Sequence, residues 1–206
     1  MPAIEWIWAE RYDCNIEGFC MLKNAVAFAF AVGAISSAHA DADADRLSTL
    51  PDVYISYYDV SGDSENAIRN SIDRSPERPR DGARAVDALT TWHFSWRTWS
   101  DGHGGCDPAL VEVMFTANVI LPRLIGSTSP DIARDWNRYI ANLRTHEAGH
   151  ITYALSRKAD VLAAAKTTRC EHINAAVQRV LDEIRAHDRV YDRETSHGIK
   201  QGAVFP

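Results

Sequence analysis

The sequence has no apolar run long enough to cross a membrane. The longest, from Ala25 to Ile35, covers 11 positions, where a spanning helix needs about 20. Basic residues are also in the minority, with 22 Lys and Arg against 28 Asp and Glu. No clustered basic surface is expected, so nucleic acid is excluded as a partner. Cysteine is scarce: of four, Cys14 and Cys20 precede residue 41, leaving Cys106 and Cys170. The glycine-rich "GHGG" lacks the lysine and following helix of a phosphate loop, so it receives no catalytic role. No internal repeat or low-complexity tract appears.

What the first forty residues do contain is a targeting pattern. From Met21 the chain reads "MLKNAVAFAFAVGAISSAHA": one lysine, the apolar run, then small residues ending in Ala-His-Ala. This is the plan of a secretory signal peptide cleaved after Ala40, leaving no stable membrane anchor and a periplasmic or secreted product. Residues 1–20 replace the basic n-region with acidic and aromatic residues, so Met21 is the expected start and 1–20 an extension outside the mature protein. The mature chain, Asp41 to Pro206, has 166 residues, which suits one domain with a real core. In an oxidising compartment Cys106 and Cys170 read as one disulfide.

The mature chain changes period halfway. "DADADR" reads as a polar lead-in. Val53–Val60, "VYISYYDV", reads as a strand stopped by Ser61-Gly62. "SENAIRNSIDRS" has helical character, and "ERPRDG" reads as a loop. In "ALTTWHFSWRTWS", Trp92, Phe94 and Trp96 alternate with His93, Ser95 and Arg97, placing the aromatics on one core-facing side of a second strand. His93 on the other face and His103 in the following Gly-rich loop "DGHGGCDP" read as surface residues. A third strand runs through "LVEVMFTANVILP" to about Pro122.

Ser129-Pro130-Asp131 then marks a helix start. Ile132, Trp136, Tyr139 and Leu143 recur at helical steps, and the same stripe continues onto His146 and His150. After Cys170, the residues Ile173, Val177, Val180 and Ile184 predict a second long helix that ends near Gly198.

His146, Glu147 and His150 spell H-E-x-x-H. Histidines four apart on a helix project from one face, so two imidazoles can reach one ion. Zinc takes such nitrogens and keeps a position for water in catalytic sites, and the intervening glutamate can act as general base and then acid. The other reading is a pair of core histidines satisfied by protein partners. A third ligand is needed. A metzincin would have Gly and His where Tyr153 and Ser156 stand, so that class is excluded. Glu171 on the next helix has a thermolysin-like offset, whereas His187 continues the apolar stripe as a core or surface residue. The local candidate is "YDRETSHG", with His197 before a glycine and Asp192 and Thr195 placed to orient it. The alternative for His197 is an exposed tail residue. Tyr191 is a candidate donor to a tetrahedral oxyanion, as are Tyr57 and Tyr58.

"YYDVSG", the Trp-rich strand, the mid-chain cysteine, "LP" at a strand end, "HEAGH", the later cysteine and "YDRETSHG" together resemble the bacterial domain-of-unknown-function family 922, described as predicted secreted zinc-dependent proteases. The resemblance spans residues 51–202. It implies a zincin-like metallopeptidase that binds Zn²⁺ through His146, His150 and His197, with Asp192 in reserve as ligand and Glu147 in its usual role. The expected fold is α+β, a small, mainly antiparallel sheet packed on two long C-terminal helices. The expected function is zinc-dependent hydrolysis of a peptide or protein substrate. The alternatives are a non-catalytic envelope binding module with a structural metal and a zinc amidase acting on cell-wall amides.

Overall fold

β-Branched and aromatic residues gather in three stretches, and each forms a strand. The computed structural model, which describes residues 46–206 apart from Asp101, Gly102 and Gly104, places them at β1 (Val53–Val60), β4 (Leu89–Ser100) and β5 (Cys106–Leu124). A short helix α1 (Arg46–Thr49) precedes them. Between β1 and β4 lie helix α2 (Glu65–Arg74), capped by the Ser64 side chain, and a small hairpin of β2 (Arg80–Asp81) and β3 (Arg84–Ala85). Its first strand falls in "ERPRDG", the stretch expected to be loop, and its second strand follows that stretch. The signal peptide, the start at Met21, Cys14, Cys20 and the lead-in through Asp45 lie outside the described residues.

The main sheet has the order β1-β5-β4. Its β4–β5 pair is antiparallel but β1 runs parallel to β5, so the sheet is mixed rather than mainly antiparallel. The cause is the long excursion through α2 and the hairpin, because a parallel partner needs a crossover of a dozen or more residues. β5 starts at Cys106, earlier than expected, and a register shift between Arg97 and Trp99 accommodates the extra residues around Pro108. Pro122 pairs with Tyr58 of β1, beyond the end of β4, whose Leu89 faces Ile120. The aromatic face of β4 is core-directed, with Phe94 buried and set edge-on to Phe115 at 5.0 Å. His93 and His103 are exposed, as their positions predicted.

Helix α3 (Pro130–Ser156) begins at the Ser129 cap with proline in its first turn. The stripe Trp136, Tyr139, Leu143, His146 and His150 is buried against β4 and β5. A helix not anticipated from the sequence, α4 (Lys158–Lys166), follows a break at Arg157 and packs on β5 and on α5 (Ile173–Thr195). The C-terminal architecture is therefore two long helices with a shorter one between them. Among the described residues no helix is long and apolar enough to cross a membrane. The Cys106–Cys170 disulfide, 5.9 Å between Cα atoms, ties the start of β5 to the 3₁₀ turn that leads into α5. The tail also returns to the core: Phe205 lies 5.3 Å from the Trp136 ring and 5.6 Å from Tyr139.

One carboxylate joins these layers. Asp87, just before β4, accepts two hydrogen bonds from Arg69 of α2 at 2.7 and 2.9 Å, one from Arg78 at 2.6 Å and one from the Tyr139 hydroxyl of α3 at 2.8 Å. Its backbone oxygen accepts from the Tyr58 hydroxyl at 2.9 Å. Burial alone would raise the Asp87 pKa, but the guanidinium of Arg69, the Tyr139 hydroxyl and Arg78 hold it below the ordinary carboxylate range. A lowered folded pKa stabilises fully above the unfolded value near 3.9 and fades as the pH falls through the folded one.

Asp87→Ala is therefore expected to cost about 2–3 kcal/mol at neutral pH. The gap to wild type should narrow below about pH 4, as read by urea unfolding at stepped pH. Replacing Cys106 and Cys170 together by serine should remove about 4 kcal/mol, the loop-closure entropy for a 64-residue separation. The same urea midpoints would register that loss.

Candidate metal centre

Two pairs of residues at helical i,i+4 spacing face each other. His146 and His150 come from α3, and Asp188 and Asp192 from α5. His146, Glu147 and His150 are the fully buried charged or polar residues among those described. Burying them costs free energy unless each finds a partner, and each histidine does.

Asp192 Oδ1 stands 3.2 Å from His146 Nε2 and 3.1 Å from His150 Nε2. One ligand atom from each of His146, His150 and Asp192 lies within 4.8 Å of the others. Ligands at about 2.0–2.1 Å on a tetrahedral ion stand about 3.3 Å apart, so the observed spacings fit a small divalent cation bound between these atoms.

The far ring nitrogens are held by other groups. His146 Nδ1 donates to Gln201 Oε1 at 2.9 Å, and the Gln201 amide donates to the Tyr191 hydroxyl at 3.0 Å. His150 Nδ1 donates to Asp188 Oδ1 at 3.1 Å, while Asp188 Oδ2 accepts from Trp92 Nε1 at 2.8 Å. Each contact fixes the tautomer that leaves Nε2 free to ligate, the role that outer partners of metal-binding histidines perform.

Tyr191 lies behind His146 rather than in the cleft. Its ring stacks on the imidazole, centroids 5.0 Å apart and planes 10° from parallel, and its hydroxyl donates to the His146 carbonyl at 3.4 Å. Its hydroxyl, expected to face an oxyanion, is engaged here by the His146 carbonyl and the Gln201 amide. Tyr58 is committed to Asp87, and the exposed Tyr57 ring lies beneath Arg123. The close fit of Tyr191 requires Gly149, since a Cβ there would collide with the Tyr191 hydroxyl.

His197 sits beside the trio and outside it. Ser196, His197 and Gly198 turn the chain through three successive positive φ values, 54°, 52° and 83°. Thr195 secures the turn, donating to the Tyr191 carbonyl at 2.8 Å and accepting from Gly198 N–H at 3.3 Å. At Gly198 a Cβ would press on the His146 ring and Ala203 at 3.1 Å, and the φ disfavours any other residue.

The turn leaves His197 Nδ1 3.6 Å from Asp192 Oδ1 and its Nε2 2.7 Å from Arg84 Nη1. A guanidinium only donates, so Nε2 accepts and Nδ1 carries the proton, directed toward Asp192. His197, the expected third ligand, stands next to the Asp192 carboxylate, while Asp192, the expected reserve, shares the buried point with His146 and His150. Glu171 is exposed on the turn before α5, paired with Arg169, and His187 stacks on Tyr153.

His146, Glu147, His150, Asp188, Asp192 and His197 line a cleft of about 740 Å³ with Thr90, Trp92, Arg84 and Arg189. Burial raises the Glu147 pKa, offset in part by Thr90, His146 and His150. For His150, burial pulls downward, but Asp188 and Asp192 carry the imidazole up to about 10. Burial would raise Asp192 too, yet the hydrogen bonds of His146 and His150 hold it well below the usual range. The arrangement is a carboxylate compensated by two imidazoles, and a divalent cation can take over that compensation by displacing protons. Gln201, Asp188 and Arg84 were not singled out for this site from sequence, and Trp92, which could line a groove, was read as core instead. Only Asp188 left a signal, its four-residue spacing from Asp192 matching that of the two histidines.

Purified protein dialysed against zinc is expected to hold one ion per chain, and His150→Ala and Asp192→Ala each to lose it by elemental analysis. His197→Ala should retain it with affinity weakened about 10–100-fold.

No curated protein and no solved structure matches the chain. A family model does, over residues 55–198. The chain belongs to the family described as "Bacterial protein of unknown function (DUF922)".

Proposed function

We propose that the protein is a zinc-dependent peptidase acting outside the cytoplasm. The observation that carries the reading is Glu147: a buried carboxyl with a raised pKa, set between two histidines whose Nε2 atoms converge with Asp192, in a cleft of about 740 Å³. The metal is assigned as zinc because two imidazoles and one carboxylate at tetrahedral spacing are its usual donors. Zinc held there supplies Lewis acidity toward water and toward an amide carbonyl.

The chain's own residues do the rest. Glu147 takes a proton from water onto its carboxylate and delivers it to the leaving amine nitrogen, which a carboxyl of raised pKa suits. Asp188 and Gln201 keep the two imidazoles in the ligating tautomer. β4 is an edge strand, and its Leu89–Trp92 stretch lines the cleft, so an extended substrate can add there by backbone pairing. The Cys106–Cys170 disulfide is compatible with an oxidising compartment and supports placing the reaction in the periplasm or outside the cell.

Glu147→Gln is expected to keep its zinc and lose about 10²–10⁴-fold in turnover on an unfolded protein substrate. Undiminished hydrolysis by the purified variant would sink this mechanism.

A further inference from the structure

The charges lining the cleft are sorted by depth. Its carboxylates are committed: Asp87 to Arg69, Arg78 and Tyr139, Asp188 to Trp92 and His150, and Asp192 to the histidines, while Glu147 is buried. Of the charged lining residues that remain exposed, four are arginines, Arg80, Arg84, Arg185 and Arg189, and one is acidic, Asp81.

The arginines come from two elements. Arg80 and Arg84 sit on the β2–β3 hairpin, and Arg84 reaches to within 2.7 Å of His197 Nε2, itself beside Asp192. Arg185 and Arg189 lie one turn apart on α5. Arg185 pairs with the exposed Asp182 at 2.8 Å and lies 5.6 Å from the centroid of the Trp92 ring, whose indole anchors Asp188. Arg189 has no ion-pair partner among the described residues.

We propose that this rim selects acidic polypeptide segments, so that the substrate of the peptidase reading carries Asp or Glu side chains on either side of the bond placed over His146, His150 and Asp192. The inference rests on that reading for the nature of the backbone and on the arginines for the side chains. Guanidinium forks pair with carboxylates through two parallel hydrogen bonds, a geometry lysine cannot supply. An extended strand on β4 sends alternate side chains to opposite faces, so every second residue would point to the same wall. A basic substrate would meet four guanidiniums, of which Arg185 is answered by Asp182, with Asp81 the one exposed carboxylate in the lining.

The test uses zinc-loaded Glu147→Gln protein and labelled peptides of equal length whose side chains are acidic, neutral or basic. Binding is read by fluorescence anisotropy, and cleavage of the same unlabelled set by wild type is followed in parallel. The acidic peptide is expected to bind about tenfold or more tighter than the basic one. Arg84→Gln and Arg189→Gln should each shrink that ratio severalfold. The exposed Arg189 keeps the test valid if Arg84→Gln disturbs zinc uptake. Equal binding of all three peptides, or a preference unchanged in both variants, overturns the proposal. Unselective cleavage with equal binding would do so while leaving the peptidase reading standing. Acid-selective binding with no cleavage of any peptide by wild type would sustain the rim and overturn the peptidase.

Discussion

Asp192 Oδ1 has three imidazole nitrogens within 3.6 Å, and much of the molecule is arranged so that it can. A carboxylate brought this close to a buried helix face loses hydration and must be compensated. Meeting that demand fixes the separation of α3 and α5 and the rotation of each about its axis. The disulfide sets where α5 begins. The tail sets where it ends, because Phe205 docks on Trp136 and Tyr139 and so returns Gln201 to His146. Even the backbone of Asp192 takes part, its carbonyl accepting from His197 N–H at 2.8 Å to close the turn that carries the third histidine.

A second carboxylate, Asp87, shows what the identity of the partners decides. It too draws donors from several elements, and its pKa is likewise held down. Its charged partners are guanidiniums, which stay protonated at any ordinary pH and offer no lone pair to a metal. That cluster can only act as frame. Around Asp192 the partners are imidazoles, whose ring nitrogens can either carry a proton or present a lone pair. Helix α3 carries both clusters on one stripe, Tyr139 toward Asp87 and His146 and His150 toward Asp192. The frame holds the helix whose C-terminal half carries the two histidines.

The helical stripe was the most legible feature, because apolar spacing at Trp136, Tyr139 and Leu143 determines where the following turns must point. It carried His146 and His150 inward without any contact being known. The strands β1 and β4 were legible for the same reason, from local composition and period. What could not be read was anything that depends on a few tenths of an ångström between distant segments. "YDRETSHG" contains both Asp192 and His197, and the choice between them turns on a left-handed excursion at Ser196 and His197, residues that rarely adopt it. The parallel pairing of β1 and the insertion of α4 likewise follow from how remote pieces share a core. Arg84 and Gln201 reach the site from 62 residues before His146 and 55 after it, and nothing local in either stretch marks them.

The charge sorting in the cleft has to be reconciled with a chain that is acidic overall, at −6. At physiological ionic strength the field of a charge is screened within about 8 Å, so the sum over the whole surface counts for little at the cleft mouth. What an incoming segment meets there is set by its nearest neighbours, Arg80, Arg84, Arg185 and Arg189, with the carboxylates beneath them already paired. Asp87, Asp188 and Asp192 each already have donors, so no rim guanidinium must fold inward to satisfy them. The same hydrogen bonds that hold His150 in its ligating tautomer thus leave the positive charge above it available to a substrate. Under the proposed function, preparing the metal site and biasing its specificity would both follow from this one arrangement.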